Sequence, residues 1–276
     1  MNMISGCCQA DTVTPPDDTW AVVISNDWIN DEYKHLVLQA DGAACQSLPG
    51  QFFNLLCPSE GDSTPYFRRP MSTYKADPSN GQVEFLYKVT GKGTYGLAKL
   101  RAAHTLQILG PLGKGFAVDP AWNHMLIVAR GVGLATLAPL AEAAHRLGIR
   151  LTAVLSARSE HSLLSRERFA SLGADVQVVL DEDGSSATGP LEQRLRQIIA
   201  REKTDALFTC GSKRLTRLLK TLSAELGLVG QVALEQQMVC GLGMCQCCVE
   251  VFEVDGLKVG KRVCLEGPVF DLAEVV

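Results

Sequence analysis

A chain of 276 residues with 46 % hydrophobic and 20 % charged residues has the makeup of a folded protein with a sizeable core, and this excludes disorder as its main state. Its net charge of −4 offers no concentrated basic surface for nucleic-acid phosphates, and no run approaches the roughly 20 apolar residues that cross a bilayer. The first eight residues carry neither the basic stretch nor the apolar core of a secretion signal, so the expected setting is the cytoplasm, where thiols stay reduced and clustered cysteines more often bind metal than each other.

Residues 1–18, with Cys7-Cys8, Pro15-Pro16 and Asp17-Asp18, show no apolar periodicity and read as a tail or lead-in strand. Over 19–118, short apolar runs at 20–25, 35–39, 51–56 and 83–89 alternate with Gly, Pro and Asp clusters, which predicts a small antiparallel β-barrel. Over 119–231 the pattern changes. Strand-like runs at 125–129, 151–156, 176–180 and 206–209 alternate with helical patterns at 135–147, 163–172, 191–202 and 215–226. Such alternation predicts an α/β unit with a parallel sheet. Gly131-Val132-Gly133, after a strand and before a helix, suits close backbone approach to a dinucleotide, although such turns also occur without a ligand. Residues 232–276 form a small cysteine-rich piece with too few residues for a core of its own.

In that last piece Cys240-Gly-Leu-Gly-Met-Cys245-Gln-Cys-Cys248, followed by Cys264, has the C-x4-C-x2-C…C spacing of plant-type ferredoxins and predicts a [2Fe–2S] cluster. Gly241 and Gly243 permit positive φ and let backbone N–H groups approach the sulfurs. A structural zinc site, which usually shows two short Cys pairs, and plain buried thiols are the alternatives. Cys247 is expected to point away as a packing thiol, with a secondary role as alternative ligand left open.

Five further segments accompany these cysteines: Arg69-Pro70-Met71-Ser72, Gly91-Lys92-Gly93-Thr94, Gly110-Pro111-Leu112-Gly113, the glycine turn at 131–133, and Cys264-Leu-Glu-Gly-Pro-Val-Phe270. With them, nearly the whole chain resembles the electron-transfer subunits of class 1B dihydroorotate dehydrogenase, within the ferredoxin–NADP reductase-like superfamily. The resemblance implies a multidomain protein: an FAD-binding β-barrel (19–118), an NAD-binding-like α/β domain (119–231) and a C-terminal [2Fe–2S] module (232–276).

Arg69 would offer a guanidinium fork to a pyrophosphate or flavin carbonyl, and Ser72 a hydroxyl to a flavin nitrogen. By resemblance Pro70 and Met71 line the flavin through backbone, and Leu86-Tyr87-Lys88 form a second flavin-lining segment, though Tyr87 and Lys88 read equally as surface residues. Gly93 and Thr94 precede an expected helix at 95–100 whose free N–H groups suit a phosphate, unless Thr94 is simply the N-cap. The resemblance adds Gly131, Gly133 and Cys210 on the nicotinamide side. Here the chain departs from the family: Arg130 stands where three small residues are usual at 129–131, and Ser212 where a proline usually follows Gly211. Arg130 would therefore either meet the pyrophosphate or plug the groove.

The implied function is a relay between NAD(H), FAD, the [2Fe–2S] cluster and a partner subunit. That partner would be an FMN-containing catalytic subunit oxidising dihydroorotate, in a hetero-oligomer serving pyrimidine biosynthesis. No catalytic acid or base is expected, because protein groups orient and tune the cofactors. The rival expectations are a reductase subunit for another partner (a hydrogenase, an oxygenase or another flavin dehydrogenase) and an electron-transfer module that no longer binds NAD.

Overall fold

The computed structural model describes residues 15–59 and 65–276; Cys7, Cys8 and most of the expected tail lie outside them. The first sheet comprises β1 (Asp17–Trp28), β2 (Tyr33–Gln39), β3 (Phe52–Leu55), β4 (Arg69–Ser72), β5 (Lys75–Asp77), β6 (Gln82–Lys88) and β7 (Thr105–Leu112). These run in the order β4-β3-β7-β1-β2-β6-β5, every pair antiparallel, and make a half-barrel with α1 (Lys92–Ala98) between β6 and β7. Strand alternation sets its two faces. Val23, Leu38, Phe53, Leu55, Phe85 and Ile108 fill the inside, while Phe52 and Asn54 of β3, between and beside those apolar residues, point the other way. The lead-in is shorter than expected: Asp17 and Asp18 already pair with Gly110 and Leu109 of β7, a long-range ladder with no local signal.

The second sheet is built from β8 (His124–Arg130), β9 (Arg150–Ala157), β10 (Asp175–Leu180), β11 (Ala206–Cys210) and β12 (Val229–Ala233), all parallel in the order β10-β9-β8-β11-β12. The helices are α2 (Gly133–Arg146), α3 (Arg166–Ser171), α4 (Thr188–Glu202) and α5 (Lys213–Leu226). Both faces are covered, so β8 is apolar from Met125 to Ala129: Met125, Ile127 and Ala129 pack on the α2 side and Leu126 and Val128 on the α4–α5 side. Leu215, Leu218, Leu219 and Leu222 give α5 one buried stripe at the spacing that defines an amphipathic helix. The helix expected at 163–172 is shorter, because Ser165 at φ 60° starts α3 late.

The cysteine-rich piece continues from β12 with β13 (Val249–Val254), β14 (Leu257–Arg262), α6 (Val263–Glu266) and β15 (Val269–Asp271). It borrows its core. Met238, Cys248, Phe252, Val263, Cys264 and Phe270 pack with Phe52 and Leu112 of the half-barrel, and β15 adds antiparallel to β12. Among the described residues, no helix is long and apolar enough to cross a membrane.

Candidate functional site

The loop between β12 and β13 carries three of the predicted ligands, and α6 carries the fourth. Cys248 and Cys264 are buried, Cys240 is half-buried and Cys245 exposed. Backbone amides are aimed at their sulfurs: Leu242 N–H donates to Cys240 Sγ at 3.4 Å, Gly243 N–H to Cys264 Sγ at 3.2 Å and Cys264 N–H to Cys248 Sγ at 3.4 Å. Burial pushes the Cys240 thiol up, but the N–H groups of Cys245, Leu242 and Met244 around it outweigh that and bring its pKa down to about 6. A ring of amide dipoles around thiols fits a group whose charge becomes more negative on reduction. Among the described residues no three His, Cys, Asp or Glu side chains converge on one point as a single ion requires. Cys247, expected to pack, is exposed instead, because the buried place beside Phe52 and Phe252 is taken by Cys248.

Asn54 ties this loop to the half-barrel. Its side chain is fully buried, and its Nδ2 donates to the Cys240 carbonyl at 3.2 Å. Gly241 sits so close, at φ 72°, that a Cβ there would fall 2.4 Å from Asn54 Nδ2. Asn54 pairs with Pro70 on β4, so one strand pair has the cysteine loop on it and carries the Arg69–Ser72 segment.

That segment opens on a cavity of about 200 Å³ lined by Pro70, Met71, Ser72, Leu86, Val132 and Glu235, among others. The second expected segment divides. Leu86 faces the cavity, Tyr87 turns into the half-barrel and donates to Asn26 Oδ1 at 2.9 Å, and Lys88 pairs with Glu32 at 2.7 Å. Alternation along β6 turns Tyr87 away from Leu86, while Lys88, at the strand end, is drawn to Glu32. Arg69 lies against the start of α1, where a Cβ on Gly93 would be 3.0 Å from its Nε. Thr94 Oγ1 accepts from the N–H groups of Thr90 and Gly91 at 2.9 and 3.0 Å, so its hydroxyl stabilises the helix entry, and only the backbone there is left to meet a phosphate.

Across the cavity, β8 ends at Arg130 and turns through Gly131 at φ 55° into α2. Gly133 is pressed against the Cys210–Gly211 turn, with 2.5 Å between an added Cβ and the Cys210 carbonyl oxygen. Arg130 does not cover this turn. Its guanidinium reaches sideways over the ends of β9 and β10, donating to Ser156 Oγ at 3.0 Å and to both carboxylate oxygens of Asp181 at 3.0 and 2.5 Å. The hydrogen bonds from Arg130 and Ser186 hold the Asp181 carboxyl down at about 2. Burial raises the Cys210 thiol far above its ordinary value, and it raises Glu235 as well.

Sequence reasoning missed Asn54, Glu235 and Thr136, whose Oγ1 donates to Ser72 Oγ at 2.8 Å. The polar Asn54 inside an otherwise apolar Phe-Phe-Asn-Leu-Leu run was a usable signal. Thr136 and Glu235 had none, since their place is defined by packing between the two sheets.

Residues 235–276 match the family described as the iron-sulfur cluster binding domain of dihydroorotate dehydrogenase B. The dihydroorotate dehydrogenase B (NAD(+)) electron transfer subunit of Desulforamulus reducens is 30 % identical over 242 residues, covering 88 % of this chain and 92 % of the relative. The same subunit of Bacillus caldolyticus is 34 % identical over 233 residues, covering 83 % and 86 %. Among solved structures, a chain from an NADH-dependent reduced ferredoxin-NADP oxidoreductase superposes with a TM-score of 0.77 at 26 % identity, over 93 % of this chain and 89 % of that one. Ferredoxin-NADP+ reductase from Plasmodium falciparum shares the fold, with a TM-score of 0.59 at 12 % identity over 78 % and 96 % of the chains.

Proposed function

This chain belongs to the family of dihydroorotate dehydrogenase B electron transfer subunits, and from that premise we propose that it relays electrons between a nicotinamide nucleotide and a catalytic partner subunit through FAD and a [2Fe–2S] cluster. When bound, the flavin exchanges a hydride with the nucleotide and single electrons with the cluster. The observation that carries the reading is the β3–β4 wall: Pro70 to Ser72 line the cavity, while Asn54, opposite Pro70, holds the carbonyl of Cys240.

In this reading Cys240, Cys245, Cys248 and Cys264 ligate the cluster through thiolate, the amides of Leu242, Gly243 and Cys264 stabilising their charge. Ser72, Met71, Pro70 and Leu86 receive the flavin ring in a largely apolar cavity. Arg69 and the backbone at Gly93 and Thr94 meet its phosphates. Gly131, Gly133 and Cys210 form the floor for the nucleotide. Arg130, held by Asp181, leaves that floor open, which favours nucleotide use over a module that has lost it. Residues 19–118, 119–231 and 232–276 are then the flavin, nucleotide and cluster units. The partner is an FMN-containing subunit oxidising dihydroorotate, and the complex belongs to the cytoplasm, where ten cysteines stay reduced.

Untagged protein purified anaerobically tests this. Near one FAD and one [2Fe–2S] cluster per chain, with a dihydroorotate-oxidising flavoprotein co-purifying, is the expected result. Colourless protein containing zinc overturns it.

A further inference from the structure

We propose that Thr136 is a positioning residue of the redox site, orienting the Ser72 hydroxyl toward the flavin. This rests on the flavin reading above. Thr136 lies in the first turn of α2 and is buried among Leu134, Ala135, Leu137 and Ala138, where an unpaired hydroxyl would be unfavourable. Its Oγ1 donates to Ser72 Oγ at 2.8 Å. A threonine has one hydroxyl proton. With that proton committed to Ser72, the proton of Ser72 itself is left to be donated elsewhere, and Ser72 faces the cavity.

A chain of donors therefore runs from Thr136 Oγ–H to Ser72 Oγ–H and ends on a donor at the cavity wall. With both hydroxyls turned over and every proton staying on its own heavy atom, Ser72 donates to Thr136 Oγ1, and the same wall then presents an acceptor. A flavin nitrogen is a lone-pair acceptor when oxidised and an N–H donor when reduced, and the Thr136 hydroxyl is what lets Ser72 serve both. The packing of Gly133 on the Cys210 carbonyl keeps the first turn of α2 in place for this.

The test compares holoprotein carrying Thr136→Val, which keeps the shape and removes the hydroxyl, with Thr136→Ser, which keeps the hydroxyl. FAD content, thermal stability, the visible flavin bands and anaerobic flavin reduction by NADH are measured, with the limiting rate separated from half-saturation. Both variants should retain FAD and fold. Thr136→Val should shift the flavin bands and lower the limiting rate about tenfold, equivalent to about 1.4 kcal/mol, at unchanged half-saturation. Thr136→Ser should stay within about twofold of wild type, since it retains the one hydrogen bond at issue. Wild-type bands and rate in Thr136→Val overturn the proposal. So does a Thr136→Ser protein as impaired as Thr136→Val, which would make the methyl group and not the hydroxyl the working part, and so does loss of FAD from Thr136→Val. If NADH reduces none of the three proteins, the flavin bands alone decide. A wild type that binds no FAD withdraws the flavin reading and the proposal together.

Discussion

Replacing Gly241 by alanine tests the join between cluster loop and half-barrel. Gly241 is at φ 72°, and a Cβ there would stand 2.4 Å from Asn54 Nδ2 and 3.0 Å from Leu112 Cδ1. The left-handed backbone alone costs an alanine about 1–2 kcal/mol. Asn54 is fully buried and has no route to solvent, so the new methyl group breaks its bond to the Cys240 carbonyl, worth about 0.5–1.5 kcal/mol. The amide is then left without a partner, since Asn54 Oδ1 already has none. The sum is about 1.5–3.5 kcal/mol. Gly256→Ala is the control: it has φ 76° and nothing within 4 Å of an added Cβ, so it suffers the backbone term only. Denaturation and iron release to a chelator should show Gly241→Ala weaker than Gly256→Ala by about 0.5–1.5 kcal/mol, a roughly 2- to 13-fold larger open fraction. Equal behaviour of the two variants would refute the contact as a determinant of cluster retention.

Cys245→Ser or Cys264→Ser should abolish the cluster signal in electron paramagnetic resonance after reduction, since a hydroxyl poorly replaces a thiolate, while the exposed Cys247→Ser should leave it intact. Arg69→Ala should weaken FAD retention by about 1.5–3 kcal/mol, the worth of a charge-assisted contact, with Arg69→Lys recovering only part because the planar fork is lost; equilibrium dialysis of FAD measures both. The Asp181 carboxyl, held at about 2 against an ordinary 3.8, stabilises the folded state above pH 3.8, and that contribution disappears as pH falls toward 2. Because the pair is solvent-screened, with 40 % of the Asp181 side chain exposed, acid titration of stability should differ between wild type and Asp181→Asn by no more than about 1 kcal/mol. Arg130→Gly should leave flavin reduction by NADH at least as fast as in wild type, as stopped-flow absorbance would show, because Arg130 is engaged by Asp181; a markedly slower variant would make Arg130 a phosphate contact.

The sequence showed most where chemistry and spacing coincide. The four cysteines could be picked out as candidate ligands because four thiols on one such spacing have few other uses, and the alternation of β8 to β11 with helices was visible in apolar periodicity. The early start of β1 depends on a partner far along the chain, and edge strands as short as β4 and β5 carry too little alternation to read, so local composition was silent. Tyr87 and Lys88 show the limit of reading a segment as a unit: alternation turns Tyr87 away from Leu86, Lys88 pairs with Glu32, and only Leu86 of the three meets the cavity. For Arg130 the sequence leaves two roles open, contact or plug. The structure gives it a third, through Asp181, which lies 51 residues away and is brought near by the β8-β9-β10 order.

The most direct test is anaerobic addition of NADH to the isolated chain, followed at the flavin and cluster bands. The relay predicts bleaching of the flavin and then of the cluster within seconds, without any partner present. Reduction of both centres by dithionite but by neither NADH nor NADPH would contradict it and leave an electron-transfer module without nucleotide chemistry.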